Sequence, residues 1–104
     1  MTTAKAALHK AMPQFEAALT ALRDRTYSEI AALPEVTAVP IDGCGKDVML
    51  TTYRDSGASG AVQVVVQLMA RGWLGSARIK ASGFSYEANG KCRDLQEEEL
   101  YDFT

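Results

Sequence analysis

The chain has 104 residues, 47% of them hydrophobic and 23% charged, with a formal net charge of −2. That length suffices for one core, so a single α+β domain over residues 1–104 is expected, and the composition is that of a folded chain. So small a net charge gives no reason to bind a polyanion, and no apolar run is long enough to cross a bilayer.

Near the N-terminus, Lys5, His9 and Lys10 interrupt the apolar segment that a secretion signal would need. A cytoplasmic location follows as the expectation. In that compartment Cys44 and Cys92 remain thiols.

From Leu8 onward, Met12, Phe15, Leu19, Leu22 and Thr26 recur at four- and three-residue steps, with Ile30 and Leu33 beyond. This spacing predicts a helix with one apolar face, and the many alanines between these positions favour it further. Pro13 conflicts with a single helix, because an interior proline removes a hydrogen bond and clashes with the preceding turn. Either the helix breaks near residue 11 and Pro13 opens a second segment, or one long helix kinks there, and the preference of proline for a first helical position favours the break. Thr26 and Glu29 have the spacing of a capping box, which marks a further boundary near residue 27. Leu33-Pro34 ends the helical region.

Beyond Pro34 the period changes from 3.6 to 2. Val36 to Ile41 contains Pro40 and so belongs at a sheet edge. Asp42-Gly43 is a hairpin signal, and a two-residue turn there would set Val39 opposite Lys46 and Ile41 opposite Cys44. Residues 47 to 54 (DVMLTTYR) alternate, and residues 61 to 71 (AVQVVVQLMAR) form the strongest strand, with DSGASG as the loop between them. In the next strand Ile79 is odd-numbered, whereas Phe84 and Tyr86 are even-numbered. If all three face the core, a β-bulge at Ser82-Gly83 must shift the parity. Asn89-Gly90 predicts a type I′ hairpin pairing Tyr86 with Arg93 and Phe84 with Leu95. Residues 96 to 103 (QEEELYDF) then close the chain as a short helical turn. The expected fold is α+β, an N-terminal helix on one face of a four- to five-stranded antiparallel meander.

Chemical motifs are mostly excluded by spacing. Gly45-Lys46 lacks the earlier glycine and the following Ser or Thr of a phosphate-binding loop. GASGA, residues 57 to 61, ends in Ala61 and lies between strands, unlike a serine nucleophile elbow. Cys44, Cys92 and His9 are scattered, so neither a metal site nor a cofactor is indicated, and no catalytic set is assembled. An enzyme using Cys44 with His9 as its base is the catalytic alternative. A single-stranded nucleic-acid binder using Arg71, Arg78, Lys80, Arg93, Trp73 and Tyr86 is another, disfavoured by the absence of a basic domain.

The leading expectation is a non-enzymatic binding module with a protein partner, either a second copy of the chain or another protein. Parity places Met49, Tyr53, Val65 and Met69 on the sheet face away from the helix, among Thr51, Gln63, Gln67, Arg71, Arg78 and Lys80. Trp73, in the GWLG connection, is a candidate recognition tip, against the favoured reading that it folds over the end of the core, where tryptophan buries a large apolar area. An apolar cluster on an otherwise wet face is characteristic of a partner surface. Leu100, Tyr101 and Phe103 are its alternative cover.

Overall fold

A computed structural model of the chain describes residues 3–41, 48–56, 60–72, 75 and 77–103, with residues 101–103 described by their backbone alone. Helix α1 spans Ala4–Arg23, and the Thr3 hydroxyl caps it by accepting from the Ala6 N–H at 3.1 Å. Pro13 lies inside this helix, which is continuous, so the expected break is not formed. The reason is local: Pro13 and His9 are both exposed. On that exposed side of the helix, the His9 carbonyl that would have accepted from residue 13 can be satisfied by solvent instead. The buried stripe of α1 is Ala4, Ala7, Ala11, Phe15 and Leu22. Leu8, Met12 and Leu19 flank it, half-buried. The small alanines bring this half of the helix close to the sheet.

Helix α2, Tyr27–Ala31, opens at the capping box foreseen from the sequence. The Glu29 carboxylate accepts from the Thr26 N–H, and the Thr26 hydroxyl accepts from the Glu29 N–H. Its Ile30 is fully buried, and the Tyr27 hydroxyl donates to the Gly60 carbonyl.

Five strands follow: β1 (Val36–Pro40), β2 (Val48–Ser56), β3 (Val62–Arg71), β4 (Ala77–Tyr86) and β5 (Cys92–Asp94). They form one antiparallel sheet in sequence order. The chain is thus an α+β fold, with α1 laid across β2, β3 and β4. The face beneath the helices carries Val48, Leu50, Val62, Val64, Val66, Leu68, Ala70 and Phe84, which with Phe15 and Ile30 make the core. Each such Val or Leu withdrawn from water contributes about 1.5–3 kcal/mol before entropy is counted. β3 is the central strand in fact as in the sequence, with six of its ten residues buried.

Three registers differ from expectation. Val39 pairs with Leu50, and the Ile41 N–H donates to the Val48 carbonyl. The register of a two-residue Asp42-Gly43 turn is therefore not formed, while residues 42–47 themselves, Cys44 included, lie outside the described residues. β3 and β4 pair without interruption from Val62↔Tyr86 to Arg71↔Ala77, so the bulge at Ser82-Gly83 is absent. β4 instead keeps its alternation: Arg78, Lys80 and Ser82 stand on the helix side, opposite Ala70, Leu68 and Val66, and Ile79 stands on the other.

The third difference is at Asn89-Gly90. Gly90 has φ +91°, but no non-glycine residue among those described has positive φ. A type I′ turn needs positive φ at both central residues, so Asn89 excludes it. The Glu87 N–H donates to the Lys91 carbonyl and closes a three-residue loop instead. Phe84 now pairs with Asp94 rather than Leu95. The one-residue shift turns Leu95 to the face away from the helices, where its N–H donates to the Gly83 carbonyl.

A C-terminal 3₁₀ helix, Glu97–Phe103, contacts β3 and β4. It is tied to β5 by a two-pronged ion pair, Arg93 donating to both Glu99 carboxylate oxygens at 2.8 and 3.0 Å. That guanidinium, helped by the Gln96 N–H, holds the Glu99 carboxyl at about 2, against an ordinary 4.5. A depressed folded-state value contributes stability that is complete above the unfolded value and lost as pH falls through the folded one. The C-terminal segment is expected to loosen between about pH 4.5 and pH 2. NMR titration should give Glu99 a midpoint near 2, and Glu99→Gln should remove that step; a midpoint near 4.5 would contradict the pairing.

Candidate functional site

The face away from the helices divides into two halves. Toward the β4–β5 hairpin it is covered. Leu95 reaches over Gly83, its Cδ1 3.1 Å from where a Cβ on that glycine would stand, and Val65 is only 2% exposed. Val65 shares the face expected of it but is buried there, on the strand that the 3₁₀ helix contacts, and so leaves the candidate surface. Tyr53 is half-buried, its hydroxyl 3.4 Å from Gln67 Oε1.

Toward the opposite end the face is less covered among the described residues. Pro40, Met49, Met69 and Ile79 pair in succession across β1, β2, β3 and β4, forming one apolar row. Pro40 is exposed, Met49 and Met69 are half-buried, and Ile79 is 38% exposed. Ala38, Ala77 and Ala81 extend the apolar area on the same side. Met49 and Met69 were legible from parity. Ile79 was not, because the supposed bulge turned it inward. Alongside runs β1, every residue of which is exposed and whose outer edge pairs with no strand among those described. Trp73 lies outside the described residues.

The catalytic alternative rests on Cys44, which lies outside the described residues, while His9 and Cys92, which are described, do not converge. His9 lies beside Arg78 at one end of β4, and Cys92 pairs with Tyr86 at the other. At about 3.4 Å per residue these ends are roughly 27 Å apart. The Cys92 thiol is exposed and unpaired, and desolvation raises its pKa while Arg23 acts the other way. Such a shift is opposite to that of an activated thiolate. Arg78, Lys80 and Tyr86 stand on the helix side of the sheet, whereas Arg71 and Arg93 stand on the far side, and Arg93 is held by Glu99. The placement of Arg71, Arg78 and Lys80 on one face is thereby corrected, and no continuous basic track results. Among the described residues, no three His, Cys, Asp or Glu side chains gather as a metal site requires, and no helix is long and apolar enough to cross a membrane.

On the helix side, the unbroken alternation of β4 creates a cleft of about 530 Å³ between β4 and the N-terminal half of α1. Leu8, Met12 and Ala6 are its apolar surfaces, and Lys5, His9, Arg78 and Thr3 its polar ones. Fold and surfaces together define a helix-backed antiparallel meander with an apolar row on the sheet face away from α1. No family model, curated protein or solved structure matches the chain.

Proposed function

We propose that the protein is a non-enzymatic interaction module that pairs with a second copy of itself through the apolar end of that sheet face. The observation that supports this most is the apolar row Pro40–Met49–Met69–Ile79, crossing four strands on the face away from α1, with Pro40 and Ile79 exposed. Methionine suits such a role, because its flexible thioether adapts to a facing surface. The adjoining edge of β1 offers backbone N–H and C=O groups at Val36–Val39 that pair with no strand among those described, while Pro40 supplies no N–H. In a two-fold arrangement the same patch serves both subunits, so one apolar row suffices for a closed dimer.

Sedimentation over a hundredfold concentration range is the direct measurement. The wild-type chain is expected to shift from monomer to dimer, and Met69→Asp to remain monomeric while still folded. A strict monomer at the highest concentration, or a Met69→Asp variant that dimerises as well as wild type, would overturn the reading.

A further inference from the structure

We infer that the cleft between α1 and β4 binds a small amphipathic anion, an apolar chain or ring bearing one carboxylate. It lies on the opposite side of the sheet from the proposed dimer face and does not depend on it. Two features argue for a ligand rather than an incidental groove. The first is its asymmetry of chemistry. Leu8 and Met12 flank the buried stripe of α1 and stay only half-buried, since β4 presents Arg78 and Lys80 on that side rather than apolar side chains. An apolar surface is thus left without an apolar lid. A hydrocarbon body would cover it, as in ligand sites of similar size.

The second feature is charge. Lys5 and Arg78 border the cleft with the imidazole of His9, no acidic residue lines it among the described residues, and Lys80 stands two residues along β4 on the same side. Among the described residues the ion pairs are Arg23–Asp94 and Arg93–Glu99, so neither Lys5 nor Arg78 is paired with an acid there. The first turn of α1 also lacks an acidic residue, which leaves the positive end of its dipole uncompensated there. A guanidinium matches a carboxylate through two parallel hydrogen bonds, so Arg78 is the residue assigned to the ligand's head group. Lys5 and His9 add donors around it, and the tail lies along Leu8 and Met12. A neutral ligand of the same shape would leave these cations unmatched, and a cationic one would be repelled.

The test uses the full chain with octanoate, octanol and octyltrimethylammonium, all below micelle formation, followed by calorimetry and by amide NMR shifts. Octanoate should saturate, with shifts centred on Lys5, Leu8, His9, Met12 and Arg78. The other two should bind at least tenfold more weakly. Arg78→Gln should weaken octanoate by about tenfold, as expected for losing one charge-assisted pair. Arg71→Gln, a change on the other face, should leave it unaltered. Because Arg78 is exposed, its replacement should not unfold the chain, and an unchanged circular dichroism spectrum verifies this. Equal affinity for octanol, indifference to Arg78→Gln, or shifts centred on Met49, Met69 and Ile79 would overturn the assignment. So would binding to phosphatidylglycerol vesicles without saturable binding of octanoate, which would make the cations a lipid-surface contact instead.

Discussion

Phe84→Ala is expected to lower the unfolding free energy by about 4 kcal/mol, within the 3–5 kcal/mol typical of a buried phenylalanine truncated to alanine. Phe84 is wholly buried where the core meets the β4–β5 hairpin, opposite Val64 on β3. Its ring also carries contacts beyond area. The Arg23 guanidinium lies 5.6 Å from its centroid, and the Tyr86 ring meets it edge-on at 6.4 Å. Arg23 in turn pairs with Asp94 at 2.6 Å, yet that pair is largely solvent-facing and adds little by itself. What Arg23 loses with the ring is its flat support, so the end of α1 and β5 should both loosen. Domains of this size have roughly 5–15 kcal/mol of stability, and the variant should sit near the edge of folding. Denaturant unfolding checks this: the midpoint should fall with the slope unchanged. Ile79→Ala, at an exposed position of the same strand, should cost under about 1 kcal/mol. A Phe84→Ala cost as small as that would contradict the assignment of Phe84 to the core.

Strand order and the two sheet faces were legible because alternation in residues 48–56 and 62–71 is nearly unbroken, and one buried face fixes register strongly. The capping box was legible for a similar reason, being a local pattern with a local geometry. What the sequence hid depends on position in space. Pro13 is harmless only because it faces water, a fact that periodicity drawn through Leu8 and Met12 does not reveal. The buried stripe runs through alanines that hydropathy underrates. β4 was misread because its apolar residues were all assumed to face one core. Ala77, Ile79 and Ala81 alternate without interruption, and taken alone they place Ile79 beside Met69 and leave Arg78 and Lys80 under the helix. Both candidate surfaces follow from that single choice. Likewise the Asn-Gly pair marks the hairpin correctly but not its length, since only the φ of Asn89 separates a two-residue turn from a three-residue one.

Gly83 is the described glycine with least room for a side chain, and Gly83→Ala is expected to destabilise by about 3 kcal/mol or more. A Cβ there would overlap the Val64 carbonyl oxygen, stand 3.0 Å from the Val65 Cα and 3.1 Å from the Leu95 Cδ1. The leucine tip can rotate away, but the β3 backbone cannot move without breaking its ladder with β4. Backbone conformation is not the constraint, because Gly83 is not among the glycines with positive φ. Space alone decides. At about 4–8 °C per kcal/mol for a chain of this size, the melting temperature should drop by at least about 12 °C. The strain also has a place to escape: separation at Gly83 lifts Leu95 and uncovers Val65. Amide exchange should therefore accelerate first in β5 and the 3₁₀ helix, ahead of β2 and the centre of β3. A Leu95→Ala background discriminates the two causes. If the backbone overlap is limiting, the double variant regains none of the loss. If it recovers most of it, the glycine is required by the leucine above it, and the close approach of β3 is not the reason.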